Sequence, residues 1–223
     1  STEKKIADAV FEGGGVKGIG LAGAVAVVEE KGYSWSNVAG TSAGAIVASL
    51  VAAGYSAAEL KKEMDALDYY KLKDPGFEDK IPLVGKLASV IFEKGIYEGK
   101  FFENWLRELL NRKNVRTFGD LVVSEFKNDE KYRFKLRVIA SDISMGRMLI
   151  LPQDIADYGI RPEDLEVATA VRMTMSIPFF FEPVHLKNMK TGQNSYVVDG
   201  GVLSNFPVWL FDSNGDEPAW PTF

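Results

Sequence analysis

The chain opens on Ile6 to Phe11, apolar at every position but Asp8, which predicts a buried strand. Glu12-Gly13-Gly14-Gly15-Val16-Lys17-Gly18 follows. Leu21, Ala24, Val25 and Val28 then recur at helical spacing until Gly32, a stop signal. Trp35 to Ala39 reads as a second strand. It feeds Gly40-Thr41-Ser42-Ala43-Gly44, and the small apolar run from Ala43 to about Ala53 predicts a helix ended by Gly54. Strand, glycine loop, helix, strand is a βαβ unit and implies parallel strands. Ser56-Ala57-Ala58-Glu59 is a capping box opening a helix with Leu60, Met64 and Leu67 on one face.

Residues 68–98 change character, mixing Asp74-Pro75-Gly76, Ile81-Pro82, Gly85 and Gly95 with many apolar and aromatic residues. They predict an irregular excursion with a short helix near 84–92. Its plain role is packing on the core. Its functional role would be a lid or lipid-facing wall. Phe102, Trp105, Leu106, Leu109 and Leu110 predict an amphipathic helix, and Thr117-Phe118-Gly119-Asp120 another capped start. Tyr132 to Ile143 and Met148 to Leu151 read as neighbouring strands, and Pro162 to Met175 as a helix stopped by Ile177-Pro178. Val184-His185-Leu186 and Tyr196-Val197-Val198 read as strands, the latter ending in Asp199-Gly200-Gly201.

Composition narrows the chemistry. A length of 223 residues, 46% of them hydrophobic, suits one sizeable α/β core. The net charge of −5 gives no basis for nucleic-acid binding. Without cysteine, disulfides, cysteine zinc sites and a thiol nucleophile are excluded. The charged opening, Ser1 to Lys5, lacks a signal peptide's apolar stretch, and no run reaches the roughly 18 apolar residues of a spanning helix. The expected setting is cytoplasmic, peripheral at membranes. The absence of an initial Met suggests processing or trimming, and the two aromatics of Ala219-Trp220-Pro221-Thr222-Phe223 suggest that the native protein continues.

Three features each follow a predicted strand: the glycine loop, Ser42 and Asp199. Sites in open parallel sheets gather at the carboxyl ends of strands. Gly40-Thr41-Ser42-Ala43-Gly44 reads G-x-S-x-G between a strand and a helix, the pattern of a nucleophile elbow. An ordinary Gly/Ser turn is the plain alternative. Gly13, Gly15 and Gly18 also spell G-x-G-x-x-G, which raises a dinucleotide-binding alternative. That motif needs an acid at the end of the second strand, where Ser36-Asn37-Val38-Ala39-Gly40 has none. Consecutive glycines can instead aim backbone N–H groups at an oxyanion. The chain's one histidine, His185, precedes Asp199, whereas a Ser-acid-His hydrolase needs a histidine after the acid. His185 therefore reads as structural and Asp199 as the candidate base, or more plainly as part of an Asp-Gly turn.

These residues carry a family resemblance. Glu12 to Gly18, Gly40 to Gly44 and Asp199-Gly200-Gly201 resemble, in order and wide spacing, the three signature blocks of patatin-like phospholipases. Ser176-Ile177-Pro178 followed by Phe181-Glu182-Pro183 resembles the segment before that family's aspartate. The likeness runs from about residue 6 to 210. It implies a single catalytic domain over 1–223, a three-layer α/β/α fold with a mostly parallel central sheet, and a lipid acyl hydrolase with a Ser-Asp dyad. Carried over residue by residue, Ser42 is the nucleophile, Asp199 the base, and Gly13, Gly14 and Gly15 the oxyanion hole. Lys17 departs from the family's usual Arg, keeping charge but losing the planar fork. The scheme needs no metal and no cofactor. The implied partner is a lipid substrate at a membrane or micelle surface. The competing class is a non-catalytic lipid-binding scaffold, against which the intact Ser42, Asp199 and glycine loop argue.

Overall fold

Helix α2 (Ala43–Ala52) is buried at all ten positions. Its sequence, Ala-Gly-Ala-Ile-Val-Ala-Ser-Leu-Val-Ala, carries no charge, and a helix apolar on every side must be surrounded by protein. Its one hydroxyl, Ser49, is satisfied by the Ile46 carbonyl at 2.8 Å. The computed structural model describes residues 5–14, 18–72, 98–176, 182–213, 215 and 217–223. The excursion expected at 68–98 and its helix near 84–92 lie, apart from the ends of two helices, outside the described residues.

Around α2 stand β1 (Lys5–Phe11), α1 (Gly18–Glu30), β2 (Tyr33–Thr41), α3 (Ala57–Leu72) and α4 (Glu98–Arg112). Then come β3 (Leu136–Asp142), β4 (Arg147–Leu151), α5 (Val167–Thr174), β5 (Val184–Lys187) and β6 (Asn194–Asp199). Ala9, Phe11, Val38, Leu136 and Val138 face the helices and form the main core with them. The alternate residues Val10, Ala39 and Ile139 face the other way and pack on Leu210 and Phe211, as the two-residue period of a strand requires. The second layer is the short helical turn Val208–Phe211. The order is thus the three-layer α/β/α expected, with a thinner second helical layer.

The six strands form one mixed sheet, ordered β1-β2-β3-β6-β5 with β4 also on β3. β1, β2 and β3 are parallel, while β4 and β6 run against β3 and β5 runs against β6. Four of the six strands therefore point the same way. β4 takes one edge of β3 from Val138 to Asp142. On the other edge β2 pairs as far as Thr41 with Ile139, and β6 takes over at Ala140 with Asp199. The carboxyl ends of β2 and β6 thus meet head-on along one neighbour. The two strands approach from opposite directions.

Some boundaries differ from the sequence pattern: the strand read from Tyr132 begins at Leu136, and the one read from Trp35 begins at Tyr33. The helix expected from Pro162 starts only at Val167. Ahead of it Leu165 and Glu166 are drawn straight, because the Leu165 carbonyl accepts from Phe118 N–H at 3.0 Å and Glu166 bridges Thr117. The capped start at Thr117 opens a short 3-10 turn, Phe118–Leu121, whose Asp120 accepts from the Thr117 N–H at 2.9 Å. The other expected capping box forms, with Ser56 N–H donating to Glu59 at 2.8 Å and Glu59 N–H to the Ser56 hydroxyl at 3.3 Å. Asp8, the polar intruder in β1, is buried and accepts from Asn37 N–H at 2.9 Å. The tail lies along the outer edge of β1, where Asp8 N–H donates to Pro221 and Phe223 N–H donates back to Asp8.

Candidate active site

Ser42 stands between β2 and α2 with φ 52° and ψ −128°. A non-glycine residue with positive φ is strained and persists only where its surroundings hold it. The glycines on either side make the turn possible. A β-carbon on Gly40 would stand 2.6 Å from the Gly44 backbone. One on Gly44 would stand 2.2 Å from the Phe11 carbonyl oxygen and 2.6 Å from that of Glu12. Gly44 therefore lets the start of α2 press against the end of β1, where the glycine loop begins.

The Ser42 hydroxyl donates to Asp199 Oδ2 at 2.7 Å and lies 3.9 Å from Met175 Sδ. The other carboxylate oxygen of Asp199 accepts from Gly201 N–H at 2.7 Å. Both residues are nearly enclosed, Ser42 at 7% and Asp199 at 6% exposure. Burial pushes the Asp199 carboxyl up from its ordinary value, against the opposing hydrogen bonds from Ser42 and Gly201. Gly200 lets this segment lie close on β3: a β-carbon there would fall 2.1 Å from the Ile139 carbonyl oxygen.

The C-terminal turn of α5 reaches both members of the pair. Ser42 N–H donates to Thr174 Oγ1 at 2.9 Å, and Thr174 donates to the Ile139 carbonyl. Two residues on, the Ser176 carbonyl accepts from Asp199 N–H at 2.9 Å. Met175 between them is buried beside the Ser42 hydroxyl.

Asn205 ties down the glycine loop. Its carbonyl accepts from Gly13 N–H at 3.2 Å, while its amide donates to the Gly13 carbonyl at 3.1 Å and to Glu12 at 3.3 Å. The Gly13 N–H is thus engaged by the Asn205 backbone carbonyl. Gly14 is exposed with φ 142°, and its N–H meets no acceptor among the described residues. The Ala43 N–H, in the first turn of α2, likewise meets none. Gly15 and Lys17 lie outside the described residues. His185 is exposed on β5, its ring packed edge-on against Tyr196 at 4.6 Å. It belongs to neither set of hydrogen bonds around Ser42 and Asp199.

Comparison with known sequences reaches the same ground. The sequence model of the patatin-like phospholipase family matches residues 9–212. The chain belongs to the patatin-like phospholipase family. It is 46% identical over 212 residues to the uncharacterized protein YqhO of Bacillus subtilis, covering 95% of this chain and 69% of that one. It is 26% identical over 201 residues to a probable lipid hydrolase, 463L, of invertebrate iridescent virus 6, covering 89% of this chain and 61% of that one. Among solved structures, VipD from Legionella pneumophila superposes with a TM-score of 0.56 at 21% identity. That match covers 99% of this chain and 49% of VipD, and shows a shared fold. The chain thus spans about half to two thirds of the length of these relatives.

Within this patatin-like chain, Ser42, Asp199 and Gly13 meet at one point. The sequence reading missed Thr174 and Asn205. Thr174 looks like one more polar position in an amphipathic helix, and nothing local signals that its hydroxyl faces Ser42. Asn205 had a weak signal: an Asn just before Phe206-Pro207, close after Asp199-Gly200-Gly201, reads only as a turn residue.

Proposed function

We propose that the protein hydrolyses carboxylic esters of lipids through a Ser42–Asp199 dyad and an acyl-enzyme. The observation that carries this reading is the 2.7 Å hydrogen bond from the Ser42 hydroxyl to Asp199, made inside a nearly enclosed site. Ser42 Oγ attacks the ester carbonyl carbon while its proton passes to Asp199 Oδ2. The carbonyl oxygen becomes an oxyanion, met by N–H groups of Gly14 and Gly15 and by the Ala43 N–H at the positive end of α2. The tetrahedral adduct collapses, the C–O bond breaks, and the leaving alcohol takes the proton from Asp199. Water then attacks the acyl-serine, gives a proton to Asp199, and releases the fatty acid as Ser42 is reprotonated.

A carboxylate is normally a weak base toward a serine hydroxyl. Burial of Asp199 narrows that gap by raising its proton affinity. The carbonyl of Ser176 and the N–H of Gly201 hold the aspartate in place, so that little reorganisation accompanies proton transfer.

The substrate is read as lipid presented at a membrane or micelle surface. Val202, Leu203, Phe206, Val208 and Trp209 follow Asp199 within ten positions, and each is 43–50% exposed. An exposed apolar strip this close to Asp199 in the chain suits contact with aggregated substrate. Among the described residues no helix is long and apolar enough to cross a membrane.

The deciding experiment combines a fluorophosphonate probe with hydrolysis of a phospholipid panel, on the intact protein and on Ser42→Ala. One label at Ser42 and loss of hydrolysis in the variant are expected. Labelling or hydrolysis that persists in Ser42→Ala would remove Ser42 from the reaction.

A further inference from the structure

The strained backbone of Ser42 needs something to hold it. The elbow glycines make room for the turn, but they make no bond to the serine itself. Among the described residues, the bond to the Ser42 backbone N–H comes from Thr174, a side chain 132 positions away in sequence. The Thr174 side chain is fully buried, and its single hydroxyl hydrogen goes to the Ile139 carbonyl. Its oxygen therefore turns a lone pair toward Ser42, and the order Ser42 N–H to Thr174 O–H to Ile139 C=O runs in one direction only.

Ile139 is the last residue of β3 to pair with β2, and β6 takes over at the next, Ala140. Its carbonyl is also the group that Gly200 lies against. One hydroxyl thus links the elbow to the seam from which Asp199 emerges. The same turn of α5 holds Asp199 by its N–H through the Ser176 carbonyl. A displacement of this turn would shift nucleophile and base relative to each other.

Resting on the dyad reading above, we propose that Thr174 is a positioning residue for the reaction. Its hydroxyl fixes the backbone of Ser42 so that the side chain points at Asp199, and it does so from the helix turn that also fixes Asp199. It touches neither substrate nor the transferred proton. Its effect is on attack geometry, where a displacement of about 1 Å is worth on the order of 100-fold in rate.

Thr174→Val keeps the shape and removes the hydroxyl, while Thr174→Ser keeps the hydroxyl and removes the methyl. Both are compared with the intact protein and with Ser42→Ala on a soluble short-chain ester, by fluorophosphonate labelling rate, and by melting temperature. The expected result for Thr174→Val is a fall of roughly 100-fold in kcat and in labelling rate at nearly unchanged KM, with most of the rate restored in Thr174→Ser. A folded Thr174→Val with native kcat and labelling rate overturns the proposal. So does a loss confined to KM, or an equal loss in Thr174→Ser. If Thr174→Val does not fold, Thr174→Cys replaces it, since a thiol donates and accepts only weakly. A kcat loss at constant KM then supports the role and a native kcat overturns it. Ser42→Ala separates the two levels. Persistent labelling in Ser42→Ala refutes the dyad itself, whereas an inert Ser42→Ala beside a fully active Thr174→Val refutes only the role of Thr174.

Discussion

Gly44 at the start of α2 lies so close to Phe11 at the end of β1 that a β-carbon on Gly44 would stand 2.2 Å from the Phe11 carbonyl oxygen. The obstructing atom is backbone in a buried strand, so it cannot swing aside as a flexible side chain would. Gly44→Ala is expected to cost about 3 kcal/mol, a fall of roughly 6–12 °C in Tm for a chain of this size. Activity in the folded fraction should fall as well, because relief of the clash moves Ser42. Thermal melts alongside active-site titration check this; an unchanged Tm would show that the helix can shift away freely.

Asp199 is expected to trade stability for function. Its carboxyl is raised by burial above the ordinary 3.8, so the folded state binds its proton more tightly than the unfolded state. The resulting penalty is absent below the unfolded value, grows as pH rises, and is complete above the folded value. Asp199→Asn removes that charge. It should nearly abolish turnover while raising Tm at neutral pH by a few degrees, about 1 kcal/mol. The acid limb of kcat/KM should titrate above 3.8, since the base must be ionised to accept the Ser42 proton. A pH series on the intact protein and melts of both proteins test the two halves separately.

His185 is exposed on β5 and contacts Tyr196 rather than the Ser42–Asp199 pair. His185→Gln should therefore keep kcat/KM within about tenfold, 1.4 kcal/mol of barrier. Its exposure makes the test clean, because little packing is lost. A folded His185→Gln as inactive as Ser42→Ala would refute a histidine-free mechanism.

The strip from Val202 to Trp209 should matter for aggregated lipid and little for soluble ester. Replacing Leu203, Phe206 and Trp209 with Ser is expected to lower hydrolysis of phospholipid vesicles about tenfold or more, since the three expose apolar area worth roughly 25 cal/mol per Å² on burial. Hydrolysis of a short-chain soluble ester should stay near the native rate. Vesicle flotation with the inactive Ser42→Ala background reads binding directly, and equal losses on both substrates would count against a docking role.

Much of the fold was legible because the local signals agree with one another. The apolar run of Ile6 to Phe11, the uncharged run of Ala43 to Ala52 and the capping box at Ser56–Glu59 each specify an element from nearest neighbours alone. Where long-range pairing competes, the pattern misleads. Leu165 and Glu166 fit a helix by period, yet their backbone is held straight by Phe118 and Thr117, nearly fifty positions earlier. No helical periodicity carries that information.

The sequence by itself determined the chemical inventory: one serine between two small residues at a strand-to-helix turn, glycines where backbones must nearly touch, an aspartate ahead of two glycines, and a single histidine that precedes that aspartate. These follow from short-range sterics, which a few adjacent residues decide. Only the tertiary structure decided how the inventory comes together. β6 runs against β3, continues the edge that β2 leaves at Ile139, and so brings Asp199 to Ser42 across 157 positions of chain. Only there do the Thr174 hydroxyl and the Asn205 amide acquire their partners. The physical reason is that strand direction and edge order are fixed by burying two faces of a sheet at once. That constraint belongs to the whole core, and no segment of the chain carries it alone.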